Sequence, residues 1–364
     1  MKYNVGIIGY GWVATAHIEA INQSQHAKVT AIYSSRALDD AELSAQWGSP
    51  IKSYTDLAQM LSDPELQVVS ICSYPNQHKD QAIQAAKAGK HLILEKPLAL
   101  SWEDCLAIHS AVKEAGVKSC VCFECRYSNQ FKVTKSILDQ GLLGNLHSGE
   151  IDYYHGIGPW YGQFRWNVKK NPGGSSLLSA GCHALDALLL CMNDQVSEVT
   201  SYHTHSESEI FEPYEYPTSC VTIMKFENGA IGKCTSSIDC LQPYYFHTHL
   251  VGSQGSLLDN KFHSMKLKTD KNTWSNLAMK LLDSGDVSDH PYLDQFNAFF
   301  EAISQDREMP LTSLDIAMKS FAVVFAADKS AAEGKTIPVV NSCCLLYTSP
   351  SPRDLNPNLV FRLM

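Results

Sequence analysis

The chain has 364 residues, and at about 150 residues per typical domain this length predicts two domains with room for a sizeable core. It is 45% hydrophobic and 18% charged, which is ordinary for a globular protein and excludes collagen-like, coiled-coil and disordered classes. A net charge of −9 argues against a nucleic-acid binder or a protein of anionic membrane surfaces, because both need a basic field. A small neutral substrate fits this charge better.

The amino terminus and the cysteines predict a cytoplasmic protein. The apolar segment at residues 5–8 is too short for a signal-peptide core, and no apolar run reaches the roughly 18 residues of a transmembrane helix. The twelve cysteines lack the framework of a small secreted domain, which favours reduced thiols. Cys120, Cys122 and Cys125 cluster in or beside an apolar segment without a fourth ligand at zinc spacing, so we expect no metal site.

Residues 1–125 alternate short β-rich runs with amphipathic helical patterns. The predicted strands are residues 4–8, 29–33, 68–72, 91–94 and 117–123. The predicted helices between them are residues 14–22, 39–47, 54–61, 77–88 and 101–115. This alternation predicts an α/β domain with a parallel, doubly wound sheet.

A glycine-rich turn directly follows the first predicted strand. Gly9 permits the tight turn, Gly11 lets the backbone approach a pyrophosphate, and Ala14 lets helix and strand pack closely. The helix that begins here offers unpaired N–H groups and a positive dipole end to phosphates. Since further βα units follow, this motif predicts a Rossmann dinucleotide-binding domain, with Trp12 and Val13 also at the cofactor.

The second strand ends without the acid that would accept bonds from a free ribose 2′-hydroxyl. No carboxylate occurs there before Asp39, whereas Ser35 and Arg36 can donate hydrogen bonds and positive charge to a 2′-phosphate. The alternative is that Arg36 is a solvated loop cation. We therefore expect NADP as the favoured cofactor, with NAD possible.

The hydrophobic pattern changes after residue 125 to longer alternating runs, which predicts a second, α+β domain at residues 126–340. Alternating runs at residues 146–154, 196–203, 219–226, 230–238 and 246–251, some joined by turn dipeptides such as Asn228-Gly229, indicate a mostly antiparallel open sheet. Helices are predicted near residues 179–192, 292–304 and 313–333. Residues 341–364 have no period and are expected to be a non-native or disordered tail without a functional role.

Three segments together resemble one known family. They are the glycine motif, the segment Ala-Gly-Lys-His-x-x-x-Glu-Lys-Pro at residues 88–97, and Gly173-Gly174 followed by His183-Ala184-Leu185-Asp186. This combination resembles the Gfo/Idh/MocA family of sugar and inositol oxidoreductases over residues 1 to about 340. The resemblance implies a Rossmann domain followed by a domain whose open sheet often forms an oligomer interface, and hence a homo-oligomer, a dimer or tetramer.

The resemblance also implies that Lys96 is catalytic and reaches the reacting oxygen of the substrate beside the nicotinamide, with Glu95 next to the cofactor. The chemistry agrees, because oxidising a secondary alcohol needs a base for the hydroxyl proton and a donor for the developing oxyanion. Lys96 follows a parallel strand, at the edge where doubly wound sheets bind ligands.

His183 is the predicted base. Ser179 and Asp186 lie four residues before it and three after it, which predicts one helical face and lets a neighbour orient the imidazole. Many members of the family carry an aspartate where this chain has Ser179. Asp186 is therefore expected either to orient His183 or to be a helix-packing partner.

Further polar and aromatic residues are expected to shape the pocket. Asn76 and His78 follow a parallel strand near the expected nicotinamide ribose, although His78 could instead belong to a helix start. Aromatic faces pack against the C–H faces of sugars, so the cluster after residue 152 predicts a substrate wall, or else core or an oligomer interface. The predicted substrate-binding residues, besides Lys96, Ser179 and His183, are Arg126, Tyr154, Trp160, Arg165 and Trp166.

The leading functional hypothesis is an NAD(P)-dependent oxidoreductase that transfers a hydride between the nicotinamide and a secondary hydroxyl or carbonyl of a sugar, sugar derivative or cyclitol. The alternative is a nucleotide-retaining glycosidase that acts by transient oxidation and elimination, a branch that residues 154–159 resemble. The intact Glu95-Lys96-Pro97 and His183 argue against a non-catalytic nucleotide sensor.

Overall fold

The computed structural model describes residues 2–270 and 272–340, so the predicted tail at residues 341–364 lies outside the described part. Its strands are β1 Tyr3–Ile8, β2 Ala27–Tyr33, β3 Lys52–Tyr54, β4 Val68–Ile71, β5 His91–Leu94, β6 Ser119–Val121, β7 Leu146–Tyr154, β8 Val196–Thr204, β9 Ser219–Phe226, β10 Ile231–Ser237, β11 Tyr245–Gly252, β12 Gly255–Leu258, β13 Lys261–Ser264, β14 Ser275–Asn276 and β15 Ile337–Pro338. Its α-helices are α1 Trp12–Gln23, α2 Asp40–Trp47, α3 Leu57–Leu61, α4 Pro75–Lys87, α5 Trp102–Ala115, α6 Asn129–Asp139, α7 Phe164–Asn167, α8 Lys170–Gly173, α9 Cys182–Met192, α10 Tyr292–Ser304 and α11 Leu314–Glu333.

The first sheet is parallel and doubly wound. Its six strands in the described residues run in the order β3-β2-β1-β4-β5-β6, so the chain reverses direction across the sheet between β1 and β4. Such a reversal opens a crevice at the carboxyl ends of the strands, where doubly wound sheets bind ligands. The predicted Rossmann architecture is confirmed.

The second sheet is mixed but mostly antiparallel, as predicted. Within the described residues its order is β14-β13-β12-β11-β7-β10-β9-β8-β15, and β7 with β10 forms the parallel pair. Helices α9 and α11 pack on one face of this sheet. The other face exposes apolar side chains, including Ile223 and Ile231.

Three predicted elements differ from the structure. A short strand, β3, ends at Tyr54, where the expected helix at 54–61 was to start. Helix α3 begins only after Asp56, whose side chain accepts from the N–H groups of Ala58 and Gln59. The strand expected at 117–123 shortens to β6. The helix expected at 179–192 is preceded by a π-helical turn, Leu177–Gly181, before α9 begins.

Helix α10 packs on the first sheet although it lies near the other end of the sequence. Phe296, Phe299 and Phe300 of α10 belong to the same buried cluster as Val5 and Ile18. Helix α11 instead joins the core of the second sheet. The Rossmann core is therefore completed by a segment outside residues 1–125.

One helical stretch, Lys170–Met192, is long and apolar enough to cross a membrane by length and composition, although 94% of its most apolar window is buried inside the fold. Burial in the core accounts for its hydrophobicity.

Candidate active site

A cleft at the carboxyl edge of the first sheet is closed from above by the π-helical turn, α9 and the segment before α10. It encloses about 780 Å³ of space, including solvent at its mouth. Several residues predicted as cofactor or substrate contacts line it together: Val13, Glu95, Lys96, Trp166, Ser179 and His183. The convergent polar groups of this cleft suit a small-molecule site.

The glycine turn has the geometry of a phosphate-binding loop. Gly9 has φ +91°, and a Cβ there would lie 2.8 Å from the backbone of Ser73, so only glycine fits. A Cβ on Gly11 would meet no described atom within 4 Å, which leaves open space in front of its backbone. Helix α1 begins after Gly11 without a side-chain cap or an acidic residue in its first turn. Its free N–H groups can therefore receive a pyrophosphate.

Two further residues of this turn contribute differently. Ala14 is fully buried and lets α1 lie close to the sheet. Trp12 is 38% exposed and packs edge-on against Tyr161, with ring centroids 5.1 Å apart. This contact joins the nucleotide turn to the aromatic segment of the second domain.

Glu95 is held in a buried hydrogen-bond network. Its Oε1 lies 2.9 Å from Nε2 of His17 and accepts from the hydroxyl of Tyr292 at 3.0 Å, while its Oε2 accepts from the backbone N–H of Lys96. Burial alone would raise the pKa of Glu95, but the hydrogen bond and positive charge of His17, together with Lys96, lower it. Burial would lower the pKa of His17, but Cys72 and then Glu95 raise it. Glu95 is thus a fixed anion that orients the Lys96 backbone.

Lys96 reaches across the cleft to the second domain. Its Nζ donates to the backbone oxygen of Ser179 in the π-helical turn at 2.9 Å. The ammonium group is thereby placed inside the cavity, beside His183.

His183 lies on the first turn of α9 and is 5% exposed. Burial lowers its pKa well below 6.5, and the charges of Lys96 and His290 lower it further. The imidazole is therefore neutral near pH 7 and able to accept a proton. Its Nε2 lies 3.8 Å from Oε1 of Glu124, a fully buried carboxyl group from the turn after β6.

Asp186 does not orient His183, which corrects that alternative. Its carboxylate is bound by Arg126, with Nε to Oδ2 at 2.6 Å and Nη2 to Oδ1 at 2.8 Å, and Ser320 donates to Oδ1 at 2.6 Å. Arg126 also donates to the carbonyl of Leu311 and is 7% exposed, so it is not directed to the substrate as expected. Neither residue lines the described cavity. The pair joins the turn after β6 to α9 and α11.

The predicted substrate wall is only partly assembled. Strand alternation turns Tyr153 into the cavity, whereas Tyr154 stacks on Tyr245 on the opposite side of the sheet. The tyrosine that faces the cavity is therefore Tyr153 and not the predicted Tyr154. Trp160 is 62% exposed and its Nε1 donates to the carbonyl of Gly156, outside the described cavity. Arg165 is exposed on α7. Trp166 alone of these predicted aromatics borders the cavity.

The residues after β4 also differ in role. His78 is buried, with Nδ1 2.9 Å from the carbonyl of Pro97 and Nε2 3.0 Å from the carbonyl of Ser73. Both nitrogens are thus occupied by backbone, which links the start of α4 to the turn carrying Lys96 and leaves neither for a ribose. Asn76 is exposed on the first turn of α4.

Ser35 and Arg36 are both exposed beyond the end of β2, open to a ligand on that edge. The next carboxylate, Asp39, caps α2 by accepting from the N–H groups of Ala41 and Glu42. Asp39 is therefore engaged by its own helix.

Sequence reasoning missed several titratable residues in the cavity, among them Glu124 and His290. A signal existed for Glu124, because a carboxylate directly after the last parallel strand lies at the ligand-binding edge. His290 comes from the irregular segment before α10, and no spacing connects it to the other site residues.

A parallel Rossmann sheet, a nucleotide-type glycine turn and a lysine–histidine cavity at the sheet's reversal point define the class of two-domain nucleotide-dependent oxidoreductases. The model described as "Oxidoreductase family, NAD-binding Rossmann fold" matches residues 3–123, and the GFO/IDH/MocA C-terminal domain matches residues 131–258. The chain belongs to the Gfo/Idh/MocA oxidoreductase family.

Similar proteins agree with this class. The chain is 26% identical to myo-inositol 2-dehydrogenase of Thermotoga maritima over 337 residues, covering 92% of this chain and 97% of that protein. It is 32% identical over 185 residues to an uncharacterized oxidoreductase of Synechocystis sp., half of each chain. A solved structure of levoglucosan dehydrogenase with NADH and levoglucosan covers 94% of this chain and 100% of its own, with TM-score 0.80 and 21% identity. The likenesses favour the dehydrogenase hypothesis over the glycosidase alternative.

Proposed function

We propose that this protein oxidises a secondary hydroxyl of a sugar, sugar derivative or cyclitol with a nicotinamide nucleotide, or runs the reverse reduction. The observation that carries the proposal is the placement of Lys96 Nζ in one cavity with a neutral, buried His183. Dehydrogenases of inositol, levoglucosan and glucose-6-phosphate among the similar proteins support the substrate class.

The nucleotide would be held by the turn at Gly9 and Gly11, by the free N–H groups of α1, and by Val13 beside the reacting end. Bound there in its oxidised form, the nucleotide would supply the acceptor for a hydride from the substrate carbon. Lys96 donates a hydrogen bond to the reacting oxygen and stabilises negative charge there. His183 accepts the hydroxyl proton, which its lowered pKa allows at neutral pH.

A panel of polyols and sugars, assayed by nucleotide reduction, tests the substrate class. We expect turnover with at least one cyclic polyol or pyranose. Release of nitrophenol from nitrophenyl glycosides without added nucleotide, and no nucleotide reduction with any polyol or sugar, would instead support the glycosidase alternative.

We further propose that NADP is preferred over NAD. Supporting this, Ser35 and Arg36 are exposed after β2, while Asp39 is engaged in capping α2. Charge-assisted hydrogen bonds to a 2′-phosphate contribute roughly 1.5–3 kcal/mol, about one to two orders of magnitude in affinity.

The variant Ser35→Asp is expected to reverse the nucleotide preference. The new carboxylate can accept bonds from the ribose hydroxyls of NADH and repels the phosphate of NADPH. Titration at one fixed ionic strength should show tighter NADPH binding by the unaltered protein and tighter NADH binding by the variant. Ser35→Ala is the matched control, since it removes a donor without adding charge. Equal or tighter NADH binding by the unaltered protein contradicts the proposal.

The partner we propose is a second copy of the chain, docked on the open face of the second sheet. Several outward-facing side chains there are apolar and exposed, although Lys225 and Lys233 share the face: Tyr202 is 69%, Ile223 50% and Ile231 54% exposed. Monomeric proteins rarely leave such contiguous apolar patches uncovered.

Ile223→Lys is expected to dissociate this oligomer, because a buried lysine without a partner opposes association. Light scattering coupled to size exclusion should show a dimer or tetramer for the unaltered protein and a smaller species for the variant. Ile210→Lys, at a 37% exposed isoleucine outside the sheet, should leave the mass unchanged. A monomeric unaltered protein refutes this interface.

A cytoplasmic location is also proposed. All ten cysteines of the described residues are free, and nine are buried, in agreement with a reducing compartment.

A further inference from the structure

Glu124 is a buried carboxyl group in the cavity that the proposed reaction has not yet used. It is fully buried, and its Oε2 has no hydrogen-bond partner among the described residues. Its Oε1 lies 3.8 Å from Nε2 of His183 and 3.2 Å from Nδ1 of His290. A buried carboxyl oxygen without a partner is costly, so its retention beside two imidazoles calls for an explanation.

Several titratable groups surround Glu124, contributed by different segments of the chain. They are His17 on α1, Glu95 and Lys96 after β5, Cys125 beside it, His183 on α9, and Tyr161, Tyr244, His290 and Tyr292 from residues 126–340. Burial and the negative charge of Glu95 raise the pKa of Glu124 to about 8, while Lys96 and His17 offset part of this rise. Glu124 can therefore exchange a proton near neutral pH.

His183 needs a carboxylate once it has accepted a proton. An imidazolium at a 5% exposed position, with the ammonium of Lys96 in the same cavity, is strongly disfavoured unless an anion is near. Glu124 is the carboxyl group facing its Nε2. The arrangement parallels the acid–histidine pairs of hydrolases, where the acid holds the imidazole in place and stabilises its charged form.

We propose that Glu124 is a positioning residue for His183: as a carboxylate it accepts the Nε2–H and stabilises the imidazolium formed when His183 takes the substrate's hydroxyl proton. The inference rests on the proposed function. In that step the O–H bond breaks with its proton passing to His183, and the hydride passes from carbon to the oxidised nucleotide. The 3.8 Å separation must shorten by roughly 1 Å for the hydrogen bond, as catalytic contacts commonly do on ligand binding.

A cation is the competing explanation for the same cluster. Donor atoms of Glu124, Cys125 and His183 lie within 4.8 Å of one another. The ammonium group of Lys96 in this cavity opposes a second positive charge, whereas it favours the carboxylate form of Glu124 that the proposal requires.

Glu124→Gln and Glu124→Asp test the proposal, with Glu114→Gln on the exposed side of α5 as a matched control. We expect Glu124→Gln to lower kcat for oxidation by roughly 10- to 100-fold with little change in KM. In the unaltered enzyme kcat/KM should rise as the pH passes about 8 and Glu124 ionises, and the glutamine variant should lose this rise. Glu124→Asp should retain it and recover part of kcat. An unchanged pH profile in Glu124→Gln overturns the proposal.

Two further measurements separate this proposal from its premises. The ring resonances of His183, followed by NMR of labelled histidine, should shift as the pH passes about 8 and Glu124 ionises, and this shift should be lost in Glu124→Gln. If Glu124→Gln leaves this shift of the His183 resonances unchanged, the pairing of Glu124 with His183 is refuted. Absence of turnover with every sugar would instead count against the proposed function. Stoichiometric zinc in the purified enzyme, lost in Glu124→Gln, would assign Glu124 to a metal instead.

Discussion

Lys96→Met should lower turnover by about two or more orders of magnitude while preserving the fold and nucleotide binding. Methionine has a similar length but cannot donate to the reacting oxygen, and removing one such donor typically costs about 3 kcal/mol in the transition state. The bond from Lys96 Nζ to Ser179 is also lost, but it is one contact between two independently anchored segments. The rate is measured with the best substrate of the panel, and binding by nucleotide titration.

Lys87→Met on the exposed side of α4 is the matched control and should have the rate of the unaltered enzyme. If Lys96→Met turns over at the wild-type rate, Lys96 has no role in the chemical step. A comparable loss of nucleotide affinity would show that Lys96 acts in binding rather than in chemistry.

Asp186→Ala should lower the free energy of unfolding by about 3–5 kcal/mol, because it leaves the guanidinium of Arg126 buried without its carboxylate. Arg126 is 7% exposed, and its remaining bonds, to the Leu311 carbonyl at 3.2 Å and to the backbone oxygen of residue 186 at 3.4 Å, do not neutralise the charge. Urea unfolding should show the loss as a lower midpoint.

Two other variants test whether the loss of stability comes from the buried charge. Asp139→Ala breaks an exposed pair with Lys135 one helical turn away and should change stability by only about 0.3–0.5 kcal/mol. The double variant Arg126→Met/Asp186→Leu should recover most of the loss, since no buried charge is left. A single Asp186→Ala variant as stable as the unaltered protein would show that water reaches this pair.

The periodic elements were predictable because their signals are local. Strand β7 and helix α10 have the predicted limits, since alternation and helical period extend over many residues there. The three-residue strand β3 was missed because so short an edge strand has no measurable period. The direction of the tyrosine side chains in β7 was also predictable. Ile151 and Tyr153 are two residues apart and so lie on one side of the strand, and both are buried, which makes Tyr153 the inward-facing ring.

The site was predictable where one segment carries it and unpredictable where distant segments meet. Lys96 follows from its strand and its motif. The partner of Asp186 does not, because Arg126 lies 60 residues away and helical spacing pointed to His183 instead. The cavity wall contributed by His290 depends equally on tertiary packing, for which a single sequence holds no local signal.

The packing of α10 on the first sheet has a consequence for biosynthesis. The phenylalanines of α10 cover apolar surface of strands and helices that are translated much earlier, so those elements leave the ribosome with that surface still uncovered. The apolar surface of the first sheet and its helices is therefore covered completely only after residues 292–304 have been synthesised. A product terminated before this helix would lack three aromatic rings of that interior, and would be recognised by chaperones and proteases as unfinished.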